Sequence, residues 1–220
     1  MLVLGIDPSL SGYGWSYHET SAKGRGRLIN KGYFSTKSSM VFVDRYSFMR
    51  DSLLKVIRKQ RPDKVGIESV AFGDTWTPGA YGLFLYTNEA LRIEKLDVVH
   101  FGPMQLKMHA RETLGRPDGW KMDKPDMIAA AKKDIGGGNW NHNEADAYLI
   151  ARLSGLFWDF VDGLIEVESL SPVESKLFTR IHTYKRGKKA GKTELKGIMY
   201  REDDVFFRWS QIQNQELEEK

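Results

Sequence analysis

Three acidic residues of this chain stand where they could bind a metal ion together. Asp7 follows the apolar run Leu2-Val3-Leu4-Gly5-Ile6, Glu68 follows Lys64-Val65-Gly66-Ile67, and Asp146 lies near the polar start of an apolar helical stretch. Clustered carboxylates repel one another unless a cation neutralises them, and oxygen ligands suit magnesium or manganese. Paired cations of this kind promote phosphodiester hydrolysis. The pattern therefore predicts a nuclease with Mg²⁺ or Mn²⁺, two ions per active site.

The elements that must position these acids follow from the hydrophobic periodicity. The sequence predicts three antiparallel strands first, followed by two strands joined through helical crossovers, with helices on both faces of a mixed α/β sheet. The predicted strands are Leu2–Asp7, Tyr13–His18, Leu28–Ser35, Lys64–Glu68 and Asp97–Phe101, and the predicted helices are Val41–Arg58, Pro78–Lys95, Met104–Leu114, Pro125–Ile135 and one that begins near Asn143. Ligands of open α/β sheets bind beyond the carboxyl ends of strands, where Asp7 and Glu68 stand.

The composition bounds the class of protein. Of the 220 residues, 41% are hydrophobic and 28% are charged, the net charge is +4, and there is no cysteine. We therefore expect an ordered protein without disulfides or thiolate metal ligands. No apolar run is long enough to cross a bilayer and no signal peptide is evident, so we expect a cytoplasmic protein without a membrane partner, in the host cell if the protein is phage-encoded.

The pattern of residue types along the chain changes after about Gly155. We expect a nuclease domain over 1–155 and a basic C-terminal extension over 156–220, with hairpin strands at Leu177–Tyr184 and Leu195–Arg201 and a polar tail from Gln211. Nine basic residues and two acidic ones lie between Lys176 and Glu202. Such a segment is suited to phosphate contact, although a solvated loop is the alternative. The candidate contacts are Lys185, Arg186, Lys188, Lys189 and Lys192.

Three motifs resemble those of a known family. The segment Gly5-Ile6-Asp7-Pro8-Ser9-Leu10-Ser11-Gly12-Tyr13-Gly14 is similar to the opening of RuvC-like Holliday-junction resolvases, including phage-encoded forms. Ile67-Glu68-Ser69-Val70-Ala71-Phe72-Gly73 resembles their second motif and Asn143-Glu144-Ala145-Asp146-Ala147 their last. The resemblance covers Met1 to about Leu153. It implies a ribonuclease H-like fold, a homodimer, and magnesium-dependent cleavage of four-way (Holliday) DNA junctions without a small-molecule cofactor.

The resemblance also implies roles for individual residues. Asp7, Glu68 and Asp146 would be metal ligands, Lys107 and Lys124 would stabilise phosphate charge, and Phe72 would wedge into the junction. Trp76 and Tyr81 share the glycine-rich stretch after Phe72 and could stack on bases or simply pack in the core. Each lysine is equally typical of a solvated helix face.

The fourth metal ligand stays open at this point. The family places an acid or a histidine three residues before the last aspartate, and here that residue is Asn143. Its amide would hold the second metal less tightly, and neighbouring His142 or Glu144 could compensate. Asn143 is equally suited to capping its helix, and Glu144 to interacting with the helix dipole.

Other functions fit parts of the pattern. The same core could cleave RNA in RNA–DNA hybrids, or bind branched DNA without catalysis. An ATP-binding domain of the actin and sugar-kinase superfamily would need a second such domain, for which the chain is too short. Gly191-Lys192-Thr193 does not complete a phosphate-binding loop, because Arg186 stands where that motif requires glycine.

Overall fold

The fold is described from a computed structural model over residues 1–21, 24–69, 77–183, 187, 193–202 and 206–210. Contacts between residues divide the chain into two compact units, Met1–Leu164 and Ile165–Lys220. The helix that crosses residue 155 continues to Val161. The assignment of 1–155 as a nuclease domain stays a prediction. No helix in the described part of the chain is long and apolar enough to cross a membrane.

The first unit contains one mixed sheet. Its strands are β1 (Leu2–Asp7), β2 (Tyr13–Ser21), β3 (Gly24–Phe34), β4 (Lys64–Glu68) and β5 (Asp97–Phe101), and its helices are α1 (Phe42–Lys59), α2 (Pro78–Ile93), α3 (Pro103–Leu114), α4 (Lys124–Ile135) and α5 (His142–Val161). The strand order is β3-β2-β1-β4-β5. β2 pairs antiparallel with β1 and β3, while β4 pairs parallel with β1 and β5. The predicted mixed sheet is confirmed.

The two faces of the sheet pack differently. On one face, strand residues such as Leu4, Ile6 and Ile67 join α1 and α2 in a large apolar cluster. On the other face, α5 lies so close to the strands that glycine is required. A Cβ added at Gly5 would lie 2.1 Å from the Ala147 carbonyl oxygen, and one at Gly66 would lie 1.7 Å from Ser154 Oγ. These contacts fix the height of α5 above the sheet.

Several helices begin or end at residues of the types that commonly cap helices. Thr77 caps α2 through its side chain, Asp123 caps α4, and Gly115 and Gly136 end α3 and α4 in the left-handed conformation that glycine adopts without strain. Asn141 caps α5, so the interpretation of Asn143 as a helix cap was wrong. Asn143 stands inside the first turn, and its side chain is available for another role.

The second unit is a small helix and sheet. A 3₁₀ turn (Val167–Ser169) leads to α6 (Pro172–Phe178), followed by β6 (Thr179–Thr183), β7 (Thr193–Glu202) and β8 (Phe206–Ser210). β6 and β7 pair antiparallel around the basic segment, and β8 pairs antiparallel with β7. The first strand begins at Thr179 rather than at Leu177, because Leu177 and Phe178 are the buried end of α6. The sequence interpretation did not include α6 or β8.

Candidate active site

Asp7 and Glu68 lie side by side where two parallel strands end. In the β1–β4 ladder Ile6 stands opposite Ile67, so the two following acids occupy the same edge of the sheet. Asp7 is 8% exposed, and Glu68 is partly buried. Their carboxyl groups share a hydrogen bond. Two carboxyl groups are held together only when a proton or a cation lies between them.

Helix α5 brings Asp146 and Asn143 to the same edge. Gly14 pairs with Asp7 across the β1–β2 ladder, and a Cβ on Gly14 would lie 2.1 Å from the carbonyl oxygen of Asn143. A Cβ on Gly12 would lie 2.2 Å from Asn143 Nδ2. Glycines at both positions therefore let the first turn of α5 approach the strand ends. Asp146 follows Asn143 by three residues, close to one helical turn.

The pKa of each of the three carboxyl groups is raised above its usual value. Burial raises the pKa of Asp7 well above its usual range, and the charges of Glu68 and Asp146 raise it further. Burial and the charge of Glu68 raise the pKa of Asp146 to about 7. Burial also raises the pKa of Glu68, against the opposing effects of its hydrogen bond with Asp7 and the charge of Lys107. The site thus favours binding a cation or a proton over leaving three negative charges uncompensated.

The two lysines predicted at the site lie near the acids. The positive charge of Lys107, on α3, lowers the pKa of both Glu68 and Asp146. The charge of Lys124, the first residue of α4, lowers the pKa of Asp7 and Asp146. Both lysine residues are exposed to solvent. They offset part of the carboxylate repulsion and remain accessible to a phosphate.

Neighbours of Asn143 are engaged elsewhere. The Nε2 atom of His142 lies 3.2 Å from Lys124 Nζ, and burial together with the charge of Lys124 lowers the pKa of the imidazole. A neutral ring can accept a hydrogen bond from the ammonium at Nε2. Glu144 Oε2 accepts hydrogen bonds from Lys31 Nζ at 2.7 Å and from the Asn141 N–H at 3.1 Å. His142 and Glu144, two of the three candidates for the fourth ligand, thus each have a lysine as partner.

The donor set fits a divalent cation of the magnesium type. Asp146 Oδ1 is buried and has no hydrogen-bond partner among the described residues, although a buried carboxylate oxygen ordinarily has one. Asp7, Glu68 and Asn143 offer further oxygen atoms at the same edge of the sheet. Such ligands suit Mg²⁺ or Mn²⁺.

Several predicted nucleic-acid contacts lie outside the described residues. They are Phe72 and Trp76, in the segment after Glu68, and the basic residues Lys185, Arg186, Lys188, Lys189 and Lys192. Tyr81 is described, stands in the first turn of α2 and is 40% exposed. The roles given to these side chains stay predictions.

Two contacts at the site were missed by the sequence interpretation. Lys31 joins β3 to the start of α5, and Lys124 contacts His142, across 113 and 18 residues of chain respectively. The two members of each pair lie on different elements, so no helical or strand period relates them. Only the tertiary packing of α5 against the sheet brings these pairs together.

Two proteins with sequences similar to this chain have the same name. A crossover junction endodeoxyribonuclease RuvC of Halothermothrix orenii is 26% identical over 112 residues, which are 49% of this chain and 66% of that protein, just under two thirds of its length. The protein of the same name from Synechococcus is 32% identical over 112 residues, 49% of this chain and 70% of that protein. No protein-family model matches the sequence.

A solved structure shares the architecture. RuvC of Thermus thermophilus superposes with a TM-score of 0.59 over 74% of this chain and 98% of that one, at 20% identity. At this identity the likeness speaks for the fold alone, which is the ribonuclease H-like arrangement of a mixed sheet between helices. The part of this chain that the superposition leaves out amounts to about a quarter of its length.

Proposed function

The chain belongs to the RuvC family of crossover junction endodeoxyribonucleases, and we propose that it cleaves four-way DNA junctions by metal-dependent phosphodiester hydrolysis. The observation that carries this proposal is the buried cluster of Asp7, Glu68 and Asp146, with Lys107 and Lys124 beside it. The related Thermus thermophilus RuvC has been solved in complex with a Holliday junction substrate.

Asp7, Glu68 and Asp146 would hold the metal, with the side-chain oxygen of Asn143 as a neutral fourth ligand. When bound, Mg²⁺ or Mn²⁺, as two ions, supplies an activated water and charge stabilisation at the departing oxygen. The unpaired Oδ1 of Asp146 supports its assignment as a ligand. Gly12 and Gly14 keep the Asn143 turn close enough to Asp7 for both to serve one site.

Lys107 and Lys124 act on the substrate phosphate. Each ammonium is exposed and lies near two of the acids, so a phosphate next to the carboxylates would meet both cations. Charge-assisted hydrogen bonds to phosphoryl oxygens stabilise the charge that develops in the reaction. His142 orients Lys124 by accepting a hydrogen bond from its ammonium at Nε2. Replacing either lysine by methionine should slow cleavage by roughly 10²-fold.

The partners follow from the family. We propose a homodimer, because paired nicks across a junction need two active sites. Phe72 would contact the junction centre, and the basic segment between β6 and β7 would contact phosphates without sequence preference, giving salt-dependent affinity. An enzyme that acts on DNA junctions would work in the cytoplasm of the cell in which that DNA is processed. A phage origin stays a prediction.

A cleavage assay with three substrates tests the proposal. The protein is incubated with a synthetic four-way junction, a linear duplex and an RNA–DNA hybrid, each with and without Mg²⁺, beside Asp7→Asn. We expect junction cleavage that needs Mg²⁺ and is lost in the variant. Preferred cleavage of the hybrid would instead indicate a ribonuclease H activity. Junction binding without cleavage would indicate a non-catalytic module, and cleavage by Asp7→Asn would refute the proposed site.

A further inference from the structure

A single lysine on the edge strand of the sheet makes three contacts with the segment that begins α5. Lys31 Nζ donates to Glu144 Oε2 at 2.7 Å and to the Asn139 carbonyl oxygen at 2.8 Å, and it lies 4.5 Å from the centre of the Trp140 ring. Its side chain is 21% exposed and that of Glu144 is 14% exposed. An ion pair this shielded from water is stronger than one on an open surface.

These contacts act on the turn that presents the metal ligands. Glu144 Oε2 also accepts from the Asn141 N–H, and Asn141 Oδ1 accepts from the Glu144 N–H, so one carboxylate belongs both to the helix cap and to the ion pair. Lys31 thereby ties the cap of α5 to β3. Asn143 lies between Asn141 and Glu144 in the sequence, and Asp146 follows two residues after Glu144.

The first turn of α5 also packs against Gly12 and Gly14. The backbone of Asn143 packs on Gly14, and its side chain packs on Gly12, so the turn rests on the start of β2 and on the loop before it. Glycines allow this approach but do not pull the helix toward the strands. The Lys31 ammonium attracts this segment toward β3, because its three partners all belong to residues 139–144.

We propose that Lys31 is a positioning residue for the metal site: it fixes the first turn of α5 so that Asn143 and Asp146 meet the acids at the strand ends. This inference rests on the proposed function. Without the ammonium, Glu144 would be left largely buried with only its capping hydrogen bond, and the turn would relax toward solvent. A displacement of about 1 Å is enough to spoil a ligand arrangement.

The chain contains a matched control at the other end of the sheet. Lys64 begins β4, the strand that Glu68 ends, and its Nζ pairs with Asp97 and lies 4.6 Å from the centre of the Trp158 ring. Its side chain is 22% exposed, nearly the same as that of Lys31. Lys31→Met and Lys64→Met each remove an ion pair and a cation–π contact, from places that differ in their distance from the acids. Lys31→Met also removes the hydrogen bond to the Asn139 carbonyl oxygen, and Asp97, the partner of Lys64, is 65% exposed where Glu144 is 14% exposed.

Binding of Mn²⁺ to the full chain, measured by titration without DNA, tests the proposal. We expect Lys31→Met to raise the Mn²⁺ dissociation constant roughly tenfold or more, as loss of groups that orient ligands does elsewhere. Lys64→Met should stay within about twofold of the original protein, and Lys31→Arg should recover part of the affinity. Glu144→Gln keeps an acceptor for the Asn141 N–H and removes only the ion pair. It should weaken Mn²⁺ binding in the same direction, and it carries the test if Lys31→Met does not fold.

Each remaining outcome is decisive. The positioning role would be overturned, with the proposed function left intact, if folded Lys31→Met bound Mn²⁺ within twofold of the original protein. If Lys31→Met does not fold, the same result in Glu144→Gln would overturn it. An equal loss in Lys31→Met and Lys64→Met would also overturn it, since the effect would then be general destabilisation. If the original protein binds Mn²⁺ no better than Asp7→Asn, the proposed metal site itself fails, and this inference fails with it.

Discussion

Two aspartates of α5 show how surroundings decide what a buried acid does. Asp146, near the start of the helix, has a buried oxygen without a hydrogen-bond partner among the described residues and lies among other carboxyl groups. Asp159, near the end, is 4% exposed and accepts a hydrogen bond from Thr20 Oγ1 at 3.1 Å. Burial raises the pKa of both, and nearby positive charges oppose the rise at both, but only at Asp159 does a hydrogen bond, from Thr20, oppose it as well. Asp159 has a hydrogen-bond donor within the protein, whereas the Oδ1 atom of Asp146 has none among the described residues, as the proposed role in metal binding requires.

The largest expected difference between the two aspartates is in catalysis. Asp146→Asn should slow junction cleavage by roughly a thousandfold or more, because several kcal/mol of metal-borne stabilisation are lost. Asp159→Asn should leave the rate within about threefold, since its partner is Thr20 and not the carboxylate cluster. Single-turnover rates at saturating Mg²⁺ measure both. Equal losses would mean that α5 tolerates neither change and that the contrast is structural.

The pH dependence of stability should separate the two acids next. The pKa of Asp146 is about 7 in the folded chain and near 4 when unfolded, so the metal-free folded state binds more protons in between. Stability is therefore lost as pH rises from about 4 through 7, by something of the order of 4 kcal/mol from this group alone. Asp146→Asn should be more stable than the original protein at pH 8 without metal, and about equal at pH 4.

Comparing the variant with the original protein isolates this contribution. His18 is buried and the pKa of its ring is lowered to about 4, which makes its own contribution rise with pH between about 4 and 6.5 in both proteins. Urea unfolding at a series of pH values provides the comparison. Added Mg²⁺ should stabilise the original protein most at high pH, and an unchanged pH profile in Asp146→Asn would contradict the assignment.

Adding a carboxylate beside Asp146 is expected to have a smaller effect. Asn143→Asp should lower the Mg²⁺ concentration needed for half-maximal cleavage by about tenfold, because a charged ligand replaces a neutral one. The same change should destabilise the metal-free protein by adding one more repelling charge. A Mg²⁺ titration of the cleavage rate measures the first effect, and thermal unfolding in chelator the second. No change in the Mg²⁺ requirement would exclude Asn143 as a ligand position.

The sheet and the strand-end acids could be predicted because their signals are local. The apolar runs before Asp7 and Glu68 define strands, and parallel pairing then places both acids at one edge. The capping of α5 by Asn141 rather than Asn143 could not be read with certainty, because both asparagines suit a cap. The contacts of Lys31 and of His142 depend on where α5 lies over the sheet, which Gly5, Gly12 and Gly14 determine through close packing. The spacing of residues along the chain does not indicate the distance between α5 and the sheet.

The smallest expected effect is at the satisfied aspartate. Thr20→Val removes the hydroxyl that donates to Asp159 but keeps the Cγ2 methyl that packs against Gly155, where an added Cβ would lie 2.6 Å from it. The free energy of unfolding at neutral pH should fall by about 1 kcal/mol, the usual value of one hydrogen bond, and by more if the carboxylate finds no new donor. Cleavage and Mn²⁺ affinity should not change. If Thr20→Val weakened Mn²⁺ binding as strongly as Lys31→Met, a change at one end of α5 would alter the metal site at the other end. Local surroundings would then not explain the difference between Asp146 and Asp159.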